Sequence, residues 1–303
     1  MRAQTKRQIA AGGFLLNFTL TLAVPDHSQT RAEPTRDHKH DAPSGRCELP
    51  FLIYRDYLVV VQGALGSKIR RNLVIDTGTN PSVIDSRVAH ELHLAGPVGK
   101  LAVHDQVVDA QQAVLPSVQI GILRAESLPV LIRDLGFLQK DLGIRIDAVI
   151  GLDVLRLSDF SIDYTTKRIV FGTAVVYGSS VPLQSTPPWL TVRMEVNGVS
   201  IQVLLDTAAS GIILFQSRIR NRLPELISLG ERTSSNMGGD LRLQLVILAR
   251  TKLGETDFGQ ENAFVVEDQQ DESRDFDGLL GPSALGLQQI AFDFQSHTFS
   301  WGK

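Results

Sequence analysis

Short apolar runs rich in valine, isoleucine and leucine recur from Phe51 onward, broken by glycine, asparagine or charged residues. Such runs favour strands, because branched side chains pack well on a pleated surface. Residues 57–61 and 69–75 read as strands about a Gly66-Ser67 turn, and Val83-Ile84 resumes after a polar break. Residues 86–94 suit a short helix capped by Ser86. Residues 101–108 and 113–120 read as a hairpin, and 128–132 as a further strand. Val149-Ile150-Gly151-Leu152 leads into a helix over 153–157, and 160–164 with 168–171 form a closing hairpin. The order then repeats. Strands at 190–196 and 201–205 join at Asn197-Gly198, a favoured hairpin turn. Ile212-Ile213-Leu214, a helix near 216–222 and a strand at 241–248 follow. Many short strands and few helices predict an all-β chain.

The repetition is specific. Leu73-Val74-Ile75-Asp76-Thr77-Gly78 returns 130 residues later as Leu204-Leu205-Asp206-Thr207-Ala208. Val149-Ile150-Gly151 returns as Leu279-Leu280-Gly281, Ile162-Asp163-Tyr164 as Phe292-Asp293-Phe294, and Phe171-Gly172 as Trp301-Gly302, all at that offset. One long period present twice implies a duplicated half-domain rather than a solenoid. The halves divide as residues 51–178 and 179–303, and facing copies bring Asp76 and Asp206 to one interface.

Composition narrows the class. The 303 residues are 43% apolar and 21% charged, with a formal net charge of -3 and no basic stripe, which argues against a nucleic-acid partner. Cys47 is the single cysteine, so no intrachain disulfide and no cysteine metal cage can form. Residues 1–24 place Arg2, Lys6 and Arg7 before an apolar stretch, the layout of an export signal or an N-terminal membrane anchor. Residues 25–50 are polar and proline-containing and read as a disordered linker, in which Asp37-His38-Lys39-His40-Asp41 is a solvated stretch rather than a metal site.

A carboxylate at the end of an apolar strand is costly unless something is gained. Two that face one cleft cannot both ionise and share a proton. One then acts as base on a water while the other donates to an amide oxygen, with no metal, cofactor or nucleophilic side chain required. The neighbours suit that scheme. Gly78 lets the turn bring amide donors to the carboxylate, Thr77 and Thr207 are placed to tie the turns together, and Thr79 and Ser210 are candidates for bonding the outer carboxylate oxygens. Gly151 and Gly281 suit a strand packed closely behind each turn.

At these residues the chain resembles the retropepsin-like aspartic proteases. Val74-Ile75-Asp76-Thr77-Gly78, the helix that follows, Ala148-Val149-Ile150-Gly151-Leu152-Asp153-Val154-Leu155 and Ser161-Ile162-Asp163-Tyr164 carry the resemblance, and the second half is a more diverged copy. The resemblance implies a bilobal acid-protease (pepsin/retropepsin-like) fold of two β-barrel-like lobes with short helices. It also implies one catalytic aspartate per lobe, Asp76 and Asp206, and a hairpin flap, for which Met237, Gly238 and Gly239 are the candidates. The implied activity is an aspartic endopeptidase acting on an extended polypeptide, exported, monomeric and favoured by acid. The second turn departs from the pattern, since Ala208 stands where glycine is usual. A distorted dyad there would leave a peptide-binding module without chemistry, the alternative reading. Asp163 and Asp293 are expected in turns, Asp153 in a structural role, and His90-Glu91-Leu92-His93 on an exposed helix face, because it lacks the i,i+4 histidine spacing.

Overall fold

The computed structural model describes residues 20–22, 45–103, 106–173, 175–186, 188–223, 226–236, 239–267 and 275–302. The first lobe is a nine-stranded sheet. From one edge its strands run Leu20–Leu22, Val98–Val103, Gln106–Ile120, Leu123–Arg133, Val83–Asp85, Ala148–Ile150, Lys68–Ile75, Leu58–Leu65 and Leu52–Tyr54. A further pairing of Gln106–Ile120 with Leu58–Leu65 rolls the sheet toward a barrel. The second lobe repeats the plan with eight strands: Gln184–Thr186, Trp189–Val196, Val199–Leu205, Gly278–Leu280, Ile212–Phe215, Thr256–Val266, Gly239–Leu253 and Ile227–Asn236. Its closing pair joins Trp189–Val196 to Gly239–Leu253. The chain is therefore all-β and bilobal, as its apolar pattern predicts.

A third sheet of six strands joins the lobes. Each lobe contributes its closing hairpin, Phe160–Asp163 with Arg168–Phe171 and Gln289–Asp293 with Thr298–Gly302. The hairpins meet antiparallel, with Phe160 opposite Phe292, Ser161 opposite Ala291 and Ile162 opposite Ile290. Under the 130-residue repeat this register maps onto itself about Ser161 and Ala291, as a two-fold contact between like surfaces must. Phe160 stacks on Phe292 with ring centroids 4.7 Å apart, and Phe299 stacks on Trp301 at 5.7 Å. These rings are fully or almost fully buried. Each buried aromatic contributes roughly 1.5–3 kcal/mol, so this seam is a main source of cohesion between the lobes.

Several elements differ from the sequence pattern. Cys47–Pro50, expected within the linker, is a strand on the outer edge of the joining sheet, paired with Arg168–Phe171. Its partner lies far along the chain, so no local periodicity marks it. The opposite reach of the N-terminal segment, Leu20–Leu22, lies antiparallel to Val98–Val103. The expected break between residues 108 and 113 is absent: Gln106–Ile120 runs as one strand, paired first with Val98–Val103 and then with Leu123–Arg133 across a Gly121 turn at φ 57°. The first helix spans Ser86–Glu91, and its N-cap is Asp85, which accepts from Arg87 N, not Ser86. The helix near 216–222 is shorter, Gln216–Ile219. An unexpected helix, Gly136–Leu142, buries Leu138 and Leu142.

Candidate active site

Each candidate aspartate stands where a strand stops. Lys68–Ile75 runs parallel to Ala148–Ile150, and Asp76 N continues the ladder by donating to Ile150 O at 3.0 Å. In the second lobe Val199–Leu205 runs parallel to Gly278–Leu280, and Asp206 N donates to Leu280 O at 3.1 Å. The chain leaving the rear strand then crosses directly behind the turn. A side chain at Gly151 would collide with Thr79 O, and one at Gly281 with Ala209 O. These two glycines are therefore required by close approach, as their spacing suggests; neither has positive φ.

The threonines lock the turns to each other. Thr77 N donates to Thr207 Oγ1 and Thr207 N to Thr77 Oγ1, both at 3.1 Å. The hydroxyls then donate onward across the lobes, Thr77 Oγ1 to Leu205 O at 2.7 Å and Thr207 Oγ1 to Ile75 O at 2.9 Å. All four bonds are buried, where a broken bond costs more than in water. They fix the two strand ends, and with them the two aspartates.

Inside this frame the carboxyls lie within hydrogen-bonding reach of each other, and neither has exposed surface. Asp76 Oδ1 accepts from Gly78 N at 2.7 Å, and Asp206 Oδ1 accepts from Ala208 N at 2.8 Å. A methyl at residue 78 would stand 2.6 Å from Asp206 Cγ, so glycine is needed there for contact with the opposite carboxyl. Ala208 keeps an ordinary backbone without positive φ, and its methyl packs into an apolar cluster with Val60, Val74, Val83 and Val149 of the first lobe. The distortion considered for the Asp-Thr-Ala turn is thus not found. Thr79 Oγ1 completes Asp76 by donating to Oδ2 at 2.8 Å. No hydrogen bond joins Ser210 to Asp206, contrary to expectation. In register, Thr79 corresponds to Ala209, which has no hydroxyl, and Asp206 Oδ2 is buried without a donor.

The titration of the pair follows from this. Burial lifts Asp76 to about 6, opposed by the bonds from Thr79 and Gly78. Burial and then the charge of Asp76 hold Asp206 well above the usual carboxylate range.

Residues outside the motif support the turns. Ser82 Oγ accepts from Gly151 N at 2.9 Å and donates to Asp153 Oδ1 at 2.6 Å, while Ser82 N donates to Asp153 Oδ2. Asp153 is therefore structural. Asp147 and Asp277 repeat at the 130-residue offset: each carboxylate accepts from a backbone amide of the strand that ends in the aspartate, Asn72 N or Gln202 N. Arg87 binds Asp147, and Arg222 binds Asp277 at 2.7 Å. A single acid before an apolar run carries no local signal, and only the shared offset marks this pair. Asp163 accepts from Thr165 N and Thr166 N, and Asp293 from Ser296 N, so both hold turns. Glu91 of the His-Glu-Leu-His stretch pairs with Arg71 and Arg87. Met237 and Gly238, and residues 37–41, lie outside the described residues; Gly239 pairs with Asn236 beside the hairpin tip. Next to the first turn, Pro81, Pro97, Gln112, Val114, Pro129 and Leu131 help line a mainly apolar cavity of about 270 Å³.

Two stretches, residues 61–154 and 192–284, match one family model, that of aspartyl proteases. Each contains one aspartate turn and its rear glycine, and together they span well over half of the chain. The chain belongs to the aspartyl protease family. The double match also makes the internal duplication a property of the family's own unit: one protease module occurs twice in tandem. A comparison with curated proteins gave no match.

Proposed function

We propose that Asp76 and Asp206 are a catalytic dyad that hydrolyses peptide bonds of an extended polypeptide lying between the lobes. The observation that carries this reading is two buried carboxyls in mutual reach, held by matching amide donors and by threonines crossed between lobes. Like charges at such a distance disfavour double ionisation, so one proton is shared.

A water held between the carboxyls attacks the scissile carbonyl carbon. Asp76 takes a proton from the water as Asp206 gives its own to the carbonyl oxygen, forming a neutral tetrahedral diol. Asp76 then returns its proton to the amide nitrogen, Asp206 takes one from a hydroxyl, and the C–N bond breaks to give acid and amine. Atoms and protons balance, and the dyad ends as it began. Neither aspartate has exposed surface, so the site must open for substrate to reach the carboxyls. The apolar cavity beside Pro81 suits an aliphatic side chain of that substrate.

Both carboxyls come from one chain, so a monomer suffices. Residues 1–24 are read as directing export, and N-terminal sequencing of the mature chain checks this; removal of the segment would take Leu20–Leu22 from the edge of Val98–Val103. The activity is tested by mapping cleavage of an unfolded polypeptide with wild type, Asp76→Asn and Asp206→Asn. Loss of at least about a thousandfold in both variants is expected for groups that act as a unit. Undiminished cleavage in either would overturn the dyad, and a folded wild type that never cleaves would favour the peptide-binding alternative.

A further inference from the structure

Away from the dyad the lobes differ again, around the acids that hold the strands entering the turns. In the first lobe Arg71 and Arg87 both converge on Asp147 Oδ1. A second carboxylate then bridges the two arginines: Glu91 takes Arg71 on Oε2 at 2.7 Å and Arg87 on Oε1 at 2.9 Å. Asp85 adds a third acid, 3.6 Å from Arg87 Nε. In the second lobe Arg222 and Arg218 lean on Asp277 Oδ1 at 2.7 and 3.7 Å, and Oδ2 is taken by Gln202 N. The bridging acid is missing there. At the 130-residue offset Asn221 replaces Glu91, and Phe215 replaces Asp85.

Beside Asp277 lies instead a mainly polar cavity of about 300 Å³, lined by Arg193, Arg218, Arg222, Gln202, Asp275 and Asp277 among others. Its three guanidiniums come from different places: Arg193 from strand Trp189–Val196, Arg218 from helix Gln216–Ile219, and Arg222 from the turn after that helix. They face two acids, and the buried one, Asp277, is already bonded on both oxygens. Arg193 makes no ion pair among the described residues. A guanidinium presents a planar fork of donors that matches phosphate and carboxylate oxygens. Donors arriving from three places suit a tetrahedral oxyanion, whose oxygens point in every direction, better than a flat carboxylate.

We propose that this cavity binds a phosphate-type oxyanion, which takes the bridging place that Glu91 fills in the first lobe. Free phosphate and the phosphoryl group of a small phosphomonoester share the chemistry that the arginines recognise. The site is independent of the dyad and of any proteolytic activity. Its anchoring reaches the frame of the second lobe, because Arg222 also donates to Ser200 O at 2.6 Å and Asp277 holds Gln202 N in the strand that leads into Asp206. A bound anion therefore ties helix Gln216–Ile219 to strands Trp189–Val196 and Val199–Leu205, and stabilises the folded lobe by mass action.

The test titrates the full chain at neutral pH with inorganic phosphate and, separately, with glycerol phosphate, by calorimetry and by thermal unfolding. Sodium chloride holds the ionic strength constant. Saturable binding of one anion per chain is expected, with a rise in Tm that chloride does not reproduce. The tighter of the two probes tells a free anion from an ester as the natural source. Arg193→Ala breaks no ion pair of the folded chain, so it should leave Tm unchanged without phosphate and weaken binding about tenfold or more. Asn221→Glu supplies the carboxylate of the first lobe and should compete with the anion, weakening it by a similar factor, whereas the neutral Asn221→Gln should not. Arg218 and Arg222 are left in place because they also hold Asp277. Absence of saturable binding by either probe, or binding that Arg193→Ala and Asn221→Glu both leave unchanged, would overturn the proposal.

Discussion

In the first lobe Asp76 is bonded on both oxygens, and Ser82 links Asp153 to the amide of Gly151 behind the turn. In the second lobe Ala209, Ile212 and Ser283 stand at the positions of Thr79, Ser82 and Asp153. Asp206 Oδ2 and Ser283 Oγ are left buried without partners, and Gly281 N turns instead to Gly211 O at 2.9 Å. The elements that set the backbone are kept in both lobes: the rear glycine, the crossed threonine, and the acid that holds the strand entering the turn. What diverges is the polar dressing around the carboxyl. Geometry is thus maintained twice, while the hydrogen bonding of the carboxyl is completed once.

Substitutions can break the part of this comparison that is symmetric. Gly151→Ala and Gly281→Ala should destabilise about equally, by roughly 3 kcal/mol or more, because each new methyl meets backbone that cannot yield. Urea unfolding checks this, and a much smaller loss in one lobe would mean that its turn can shift. Thr77→Val and Thr207→Val should each cost about 2 kcal/mol through lost and orphaned buried bonds. The double variant should cost less than the sum, since the two side chains share one network.

Much of this was legible beforehand, and the reasons are local. An apolar strand that stops at Asp-Thr identifies its turn wherever it occurs, and the constant offset ties that turn to its rear glycine. Strict use of the same offset pairs Thr79 with Ala209; Ser210 offers a hydroxyl but stands one residue out of register. Helix Gly136–Leu142 is too short to show a clear apolar period, and residues 266–272, at the same offset, share none of its apolar positions. Cys47–Pro50 becomes a strand only because Arg168–Phe171 offers an edge, a tertiary effect with no trace in short-range pattern.

Other measurements sharpen the asymmetric part. Asp206 binds its proton more tightly in the folded chain than the usual carboxylate does, so folding stability should fall as pH rises above the ordinary aspartate range. Asp206→Asn removes that dependence and should gain on the order of 1–3 kcal/mol over wild type at neutral to alkaline pH, with little gain near pH 4. Thermal unfolding across pH reads this directly, and a gain that grows toward acid would contradict the sign. The smallest effect contrasts two serines. Ser82→Ala should cost about 1–2 kcal/mol by stripping donors from Asp153 and an acceptor from Gly151 N, whereas Ser283→Ala should be neutral or stabilising by up to about 1 kcal/mol.

The most direct test of two unlike carboxyls working as one unit is the pH profile of kcat/KM for wild type on an unfolded polypeptide. A bell with its acid limb near 6 and its alkaline limb clearly higher is the predicted result. Activity confined to strongly acid pH would show a dyad in which Asp206 holds its proton no more tightly than an ordinary carboxyl, and would contradict the account.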